Sequence, residues 1–133
     1  MTTTCVLDSW AVLAYLQSYR TSDSVSAVID DVMTGDRAVM NWINLGEVAY
    51  VLQCRYGRAE ALTAVQDLRA AVSVCLPDES LVLSAADIKA NYPMAYADAF
   101  AAATALRFDA PVWTGDPELL IPGAPWQWQD LRA

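Results

Sequence analysis

Thr4-Cys5-Val6-Leu7-Asp8-Ser9-Trp10-Ala11-Val12-Leu13-Ala14-Tyr15-Leu16 passes from one periodicity to another across a single acid. Residues 4–7 are a short run that ends at Asp8, as a buried strand would. From Ser9 to Tyr19 the apolar residues Trp10, Leu13, Ala14 and Leu16 recur at helical spacing. A strand that yields directly to a helix is the building unit of an α/β fold.

The rest of the chain repeats the alternation. Thr21 or Ser22 can cap a helix through Met33, with Val25, Val28, Ile29 and Val32 inward, and Thr34-Gly35-Asp36 ends it. Arg37 to Met40 or Asn41 reads as a strand. Asn44 opens a helix to about Tyr56, where Gly57 stops it. Residues 58–71 form another helix, with Ala61, Leu62, Val65 and Leu68 inward. Val72–Leu76 is a third strand. Pro77-Asp78-Glu79 starts a helix that ends before Pro93, and Ala95–Arg107 is an Ala-rich helix small enough to pack close to its neighbours. Pro111–Thr114 is a fourth strand, and Trp126-Gln127-Trp128 is a candidate fifth at an edge. The pattern predicts one α/β domain over residues 1–133, a parallel sheet of four to five strands covered by helices on both faces. No repeat or linker interrupts it; the Pro/Gly-rich Pro122-Gly123-Ala124-Pro125 lies too near the end to divide domains.

Composition narrows the chemistry. The chain has 133 residues, 56% hydrophobic and 18% charged, enough for a core and too apolar for disorder. No apolar run reaches the ~18 residues of a membrane span. The opening Met1-Thr2-Thr3-Thr4 carries no basic region, and Asp8 cuts short the apolar run Cys5-Val6-Leu7, so no signal peptide is expected and a soluble cytoplasmic protein is. Cys5, Cys54 and Cys75 are widely spaced and odd in number, so they read as reduced core residues. The chain has no histidine, which removes Ser-His-Asp and Cys-His catalysis and disfavours zinc. The net charge of -8 is ordinary for a soluble protein, yet it also suits a gathered set of carboxylates and a basic partner.

Four acids occupy comparable places. Asp8 follows the first strand and Asp116 the fourth, while Glu47 and Asp98 are expected in the first turns of their helices. Ligands of open α/β sheets bind beyond the carboxyl ends of the strands, and helices that follow strands start there. Each acid also has a plain structural reading. Asp8 can cap the helix from Ser9, Asn44 and Glu47 resemble a capping box, Asp116 precedes Pro117 as a cap precedes a first-turn proline, and Asp98 can oppose a helix dipole. Context favours more than capping. Asp98 lies in Tyr96-Ala97-Asp98-Ala99-Phe100-Ala101-Ala102-Ala103, and Glu47 precedes Val48-Ala49-Tyr50-Val51-Leu52, without a Lys or Arg nearby in sequence. A carboxylate in such company is costly unless it is paired or holds a metal. With oxygen ligands alone, magnesium or manganese is the natural ion.

Val6-Leu7-Asp8-Ser9, Asn44-Leu45-Gly46-Glu47-Val48, Tyr96-Ala97-Asp98-Ala99-Phe100-Ala101-Ala102-Ala103 and Trp113-Thr114-Gly115-Asp116-Pro117-Glu118 resemble, in order, the four signature stretches of PIN domains. The chain's shortness resembles VapC-type toxins of bacterial toxin–antitoxin pairs. The resemblance implies a Mg2+- or Mn2+-dependent endoribonuclease that leaves a 5′-phosphate. Asp8, Glu47 and Asp98 would surround the metal and Asp116 would be the fourth acid, often acting through water. Ser9 and Thr114 match the small hydroxyl residues flanking such sites. It implies an RNA substrate, a cognate antitoxin protein and a homodimer. Asn41 departs from the pattern, where relatives often carry Ser, and should weaken a supporting hydrogen bond at most. Trp10, Tyr15, Tyr19, Tyr50 and Tyr56 are expected mostly in the core, some of them lining an antitoxin groove. Arg20, Arg55, Arg58 and Lys89 are candidate phosphate contacts, though each reads more readily as a solvated helix charge.

Two rivals stand beside this reading. An aspartate phosphatase with Asp8 as nucleophile wants a second Asp two residues on, where this chain has Trp10. A PIN-like scaffold that binds RNA or protein without cutting would carry the same acids.

Overall fold

The computed structural model describes residues 5–17 and 37–132. The helix expected between Thr21 or Ser22 and Met33 lies outside them, as do Thr34-Gly35-Asp36, Tyr19 and Arg20. The chain order is β1 (Cys5–Leu7), α1 (Ser9–Leu16), β2 (Ala38–Asn41), α2 (Trp42–Tyr56), α3 (Arg58–Ala71), β3 (Ser73–Cys75), α4 (Glu79–Asn91), α5 (Tyr96–Phe108), β4 (Val112–Thr114) and β5 (Trp128–Asp130). The five strands form one sheet in the order β3-β2-β1-β4-β5. Every pairing is parallel, with Val6 opposite both Val39 and Val112. The fifth strand does sit at an edge, two residues later than the tryptophan spacing suggested.

Side chains alternate across a strand, so β1 feeds both faces of the sheet. Cys5 and Leu7, with Ala38 and Met40, meet Ala11 and Val12 of α1, Leu45, Val48 and Leu52 of α2, and Ala61 and Leu68 of α3. Val6 and Val112 meet α4 through Leu81, Ala85 and Ile88, and α5 through its alanines and Phe100. Helices thus cover both faces. Each fully buried Leu or Val contributes about 1.5–3 kcal/mol. α5 is buried from Asp98 through Ala105, because five alanines let it lie close against β1, β2 and β4.

Some local expectations change. α2 starts at Trp42 because Asn41, not Asn44, is its cap: the Asn44 N–H donates to Asn41 Oδ1 at 2.9 Å. Gly57 ends α2 at φ 92°, a left-handed conformation that favours glycine. Leu62 points outward, and Ala61, Leu68 and partly buried Ala64 and Val65 form the inner face of α3. The Arg69 guanidinium stacks 5.2 Å from the centre of the Trp42 ring, tying α3 to the start of α2. Tyr50 and Tyr56 are exposed, whereas Trp10 and Tyr15 pack against the core. Of the cysteines, all free, only Cys5 is buried; burial pushes its thiol up to about 12. The C-terminal segment is fastened by Trp126 Nε1 and Trp128 Nε1, which donate to the carbonyls of Leu119 and Ile121, both at 3.0 Å. Among the described residues no helix is long and apolar enough to cross a membrane.

Candidate active site

From β1 the chain steps outward to β2 and β3, then returns to place β4 on the other side of β1. The strand order therefore reverses between β1 and β4, and the crevice beyond their carboxyl ends is the expected ligand position. Asp8 leaves β1 there. Its backbone is extended and its side chain caps α1, accepting from the Ala11 N–H at 2.8 Å on Oδ1. The other oxygen, Oδ2, accepts from the Thr114 hydroxyl at the end of β4. Asp8 is 1% exposed. Burial pushes its pKa up to about 7, and the charges of Asp116 and Glu47 act in the same direction, against the bonds from Thr114 and Ala11.

Thr114 also accepts from the Asp116 N–H at 2.9 Å, so one hydroxyl joins the two strand-end acids. Asp116 then caps a turn rather than a helix, its Oδ1 accepting from the Glu118 N–H at 3.0 Å. Between them, Gly115 touches Trp10 of α1: a Cβ built at Gly115 would lie 2.3 Å from the indole ring. Glycine is required here for close approach, and the approach presses the Asp116 turn against α1. Glu118 reaches back to α5, accepting from the Ala95 N–H at 3.1 Å.

Asp98, in the first turn of α5, completes the cluster. One carboxylate oxygen from each of Asp98, Asp116 and Glu118 lies within 4.8 Å of the others. Asp98 holds its proton well above the usual carboxylate range, first because it is buried, then because Glu118, Asp116 and Asp8 crowd it with like groups. α5 follows a helix, not a strand, so the rule that drew attention to Asp98 does not place it. Its position comes from the packing of α5 across β1, β2 and β4.

Glu47 stands in the second turn of α2, not the first, because α2 begins at Trp42. It has no capping role. It accepts from the Ser9 hydroxyl, and its charge reaches Asp8. The structure thus gathers Asp98 and Asp116 tightly with Glu118, joins Asp8 to them through Thr114, and sets Glu47 beside Ser9. Sequence reasoning did not single out Glu118, which ends the fourth signature stretch; its only sequence signal is an acid two residues after Asp116.

The candidate phosphate contacts fare differently. Lys89 Nζ donates to the Met94 carbonyl at 2.8 Å and serves the end of α4. Arg55 and Arg58 are exposed at the α2–α3 junction. Arg132, just beyond β5, pairs with Asp130 at 3.1 Å and also feels the charge of Asp116. The donor set of the cluster is all oxygen, and burial together with like-charged neighbours raises the pKa of Asp8 and Asp98. Such a set fits a hard divalent cation, with Asp98, Asp116 and Glu118 close enough together to share it and Asp8 and Glu47 nearby.

Solved structures share this fold. The DNA-bound VapBC of Salmonella typhimurium is similar with a TM-score of 0.76 at 17% identity, covering 98% of this chain and 99% of that one. VapBC-1 of nontypeable Haemophilus influenzae has a TM-score of 0.74 at 22% identity, with coverages of 97% and 98%. VapC20 of Mycobacterium tuberculosis, a sarcin–ricin loop cleaving toxin, has a TM-score of 0.67 at 17% identity, with coverages of 90% and 95%. Among curated proteins none matches the sequence. The PIN domain family model matches residues 5–121, most of the sequence, and the chain belongs to that family.

Proposed function

We propose that residues 1–133 form a single nuclease domain, a divalent-metal-dependent endoribonuclease that acts as the toxin of a VapBC-type pair. The observation that carries the reading is the crowding of Asp98 and Asp116, with Asp8 joined through Thr114, at the point where the strand order reverses. Membership of the PIN family and the VapC-like fold support the toxin assignment. Asp8, Glu47, Asp98 and Asp116 are the proposed catalytic and metal-holding set, with Mg2+ or Mn2+ as the ion. Bound there, such an ion would activate a water and neutralise charge on the scissile phosphate.

The chain's own groups do the rest. Thr114 and Ala11 hold both oxygens of Asp8, so that carboxylate has one orientation. The turn at Gly115 aims Asp116 at Asp98, and whichever of the two is ionised would take the proton lost by the attacking water, while the 3′ oxygen leaves as a hydroxyl with a proton from the protonated acid or from solvent. The VapBC and FitAB complexes among the similar structures, some bound to DNA, and the charge of -8 support a basic antitoxin partner. A homodimer is proposed with them.

Purified protein incubated with RNA and Mg2+ or Mn2+ should cut internally, and EDTA should stop it. Asp98→Asn should be inactive; wild-type cleavage by that variant would remove Asp98 from the site. Expression alone should arrest a bacterial host and Asp8→Asn should not. RNA bound but never cut would favour a scaffold instead.

A further inference from the structure

We infer that Asn44 is a positioning residue for Asp98, fixing the start of α5 against the start of α2 through the Ala97 carbonyl. The inference rests on the metal-nuclease reading above. α5 has no side-chain cap of its own, since Ala95 occupies the cap position. Its start is held from outside, by Glu118 at the Ala95 N–H and by Asn44 Nδ2, which donates to the Ala97 carbonyl at 3.0 Å. That carbonyl belongs to the peptide plane whose nitrogen is that of Asp98. A bond there sets the direction in which the Asp98 side chain leaves the helix.

Asn44 can point only one way. Its Oδ1 accepts from Asn41 Nδ2 at 2.7 Å and its backbone N–H donates to Asn41 Oδ1 at 2.9 Å, so its own Nδ2 is left for Ala97. Asn41 Nδ2 donates again, to Thr104 Oγ1 at 3.0 Å, and the Thr104 hydroxyl donates to the Phe100 carbonyl at 2.7 Å. Asn41, Asn44 and Thr104 are all 0% exposed. Asn41 at the cap and Asn44 in the first turn of α2 therefore grip α5 at two points, Thr104 and Ala97, about 10 Å apart at 1.5 Å per residue. Sliding or turning α5 would strand buried amide groups, at roughly 1–3 kcal/mol each. Apolar side chains would fill the same space, but they would not fix the register. Glu47 lies three residues after Asn44 on α2, so the network also sets the spacing between Glu47 and Asp98. Asn41, the departure from the family pattern, is the joint of the network rather than a weakened bond.

The test compares Asn44→Leu, which keeps the number and branching of the side-chain heavy atoms, with Thr104→Val, which removes the two bonds of the Thr104 hydroxyl but leaves Asn44 and Ala97 alone. Mn2+ binding to each full chain is measured by calorimetry, alongside melting temperature and kcat and KM on a short RNA. Both variants should melt below wild type. Only Asn44→Leu should bind Mn2+ about 10–100-fold more weakly, the usual range for loss of a ligand's supporting partner. Its kcat should fall while KM stays within about threefold. Should Asn44→Leu fail to fold, Asn44→Ala makes the same comparison, and Asn44→Ser should recover part of the affinity. Wild-type Mn2+ affinity in Asn44→Leu or Asn44→Ala overturns the inference alone, as does equal weakening in Thr104→Val. A wild-type chain that binds no Mn2+ overturns the nuclease reading and the inference together.

Discussion

Asp8 uses its two oxygens for different purposes, and substitutions can separate them. Capping Ala11 needs only an acceptor, which Asp8→Asn keeps; Asp8→Ala loses it, at about 1 kcal/mol. The charge offered to a cation disappears in both. RNA cleavage in Mg2+ should therefore fall by at least roughly a hundredfold in either variant, by analogy with losing one charge-stabilising group. If the Asn variant cleaved like wild type, Asp8 would be a cap and no more. Gly115 invites a different experiment. A methyl group there would meet the Trp10 ring, 2.3 Å away, so either the indole or the Asp116 turn must move. Gly115→Ala should cost about 1–3 kcal/mol, the usual penalty of overpacking, and should lower cleavage as well. Trp10→Leu makes room, so in that background Gly115→Ala should be nearly harmless to stability. Unchanged melting of Gly115→Ala in the wild-type background would show that the contact exerts no constraint.

The start of α4 tests a helix end away from the site. Asp78 caps α4 by accepting from the Leu81 N–H at 2.8 Å and also pairs with Arg107 at 2.8 Å. Exposed pairs contribute little, so the cap should dominate. Asp78→Ala should melt lower than wild type, Asp78→Asn about as wild type, and Arg107→Ala should do little; a large drop in Arg107→Ala would reverse that ranking. Elements of this kind were legible in sequence, because proline, acid and apolar spacing agree within a few residues. β1, β4 and α5 were legible for the same reason. The start of α2 was not. Asn41 and Asn44 are both good caps, three residues apart, and the choice between them depends on Thr104, 63 residues from Asn41. Glu47 moved into the second turn as a result. The outward turn of Leu62 is not legible, because apolar periodicity in a helix does not reveal which stripe meets the sheet when several positions are apolar. Glu118 resembles any acid at the start of a turn; only the folded chain brings it beside Asp98.

On the scale of the whole molecule, the carboxylates at the strand ends should make stability depend on pH and on divalent ions together. Burial raises Asp8 from an unfolded value near 3.8 to about 7, and Asp98 is raised for the same reason and by its acidic neighbours. A raised folded-state pKa means that the native chain binds more protons than the unfolded one between those values. Stability then falls as pH rises. For Asp8 the fall runs from about pH 4 to about pH 7, is complete above that, and is of the order of a few kcal/mol at 1.36 kcal/mol per pKa unit. No imidazole titrates in that range, because the chain has no histidine. In EDTA the wild type should therefore melt several degrees higher at pH 5 than at pH 8, at about 2–8 °C per kcal/mol. Divalent ion replaces the missing protons only in the folded state, so Mg2+ should raise the melting temperature at pH 8 and much less at pH 5, where protons compete for the same oxygens. Free ion at 100 times its dissociation constant stabilises by about 2.7 kcal/mol. Asp8→Asn/Asp98→Asn keeps the cap of α1 but has neither acid, so its melting temperature in EDTA should change little between pH 5 and 8 and should not respond to Mg2+. Calorimetric scans of both proteins at the two pH values, with and without Mg2+, decide the matter. A wild type whose melting temperature rises from pH 5 to pH 8 in EDTA, and which ignores Mg2+ at pH 8, has acids that serve only as helix and turn caps.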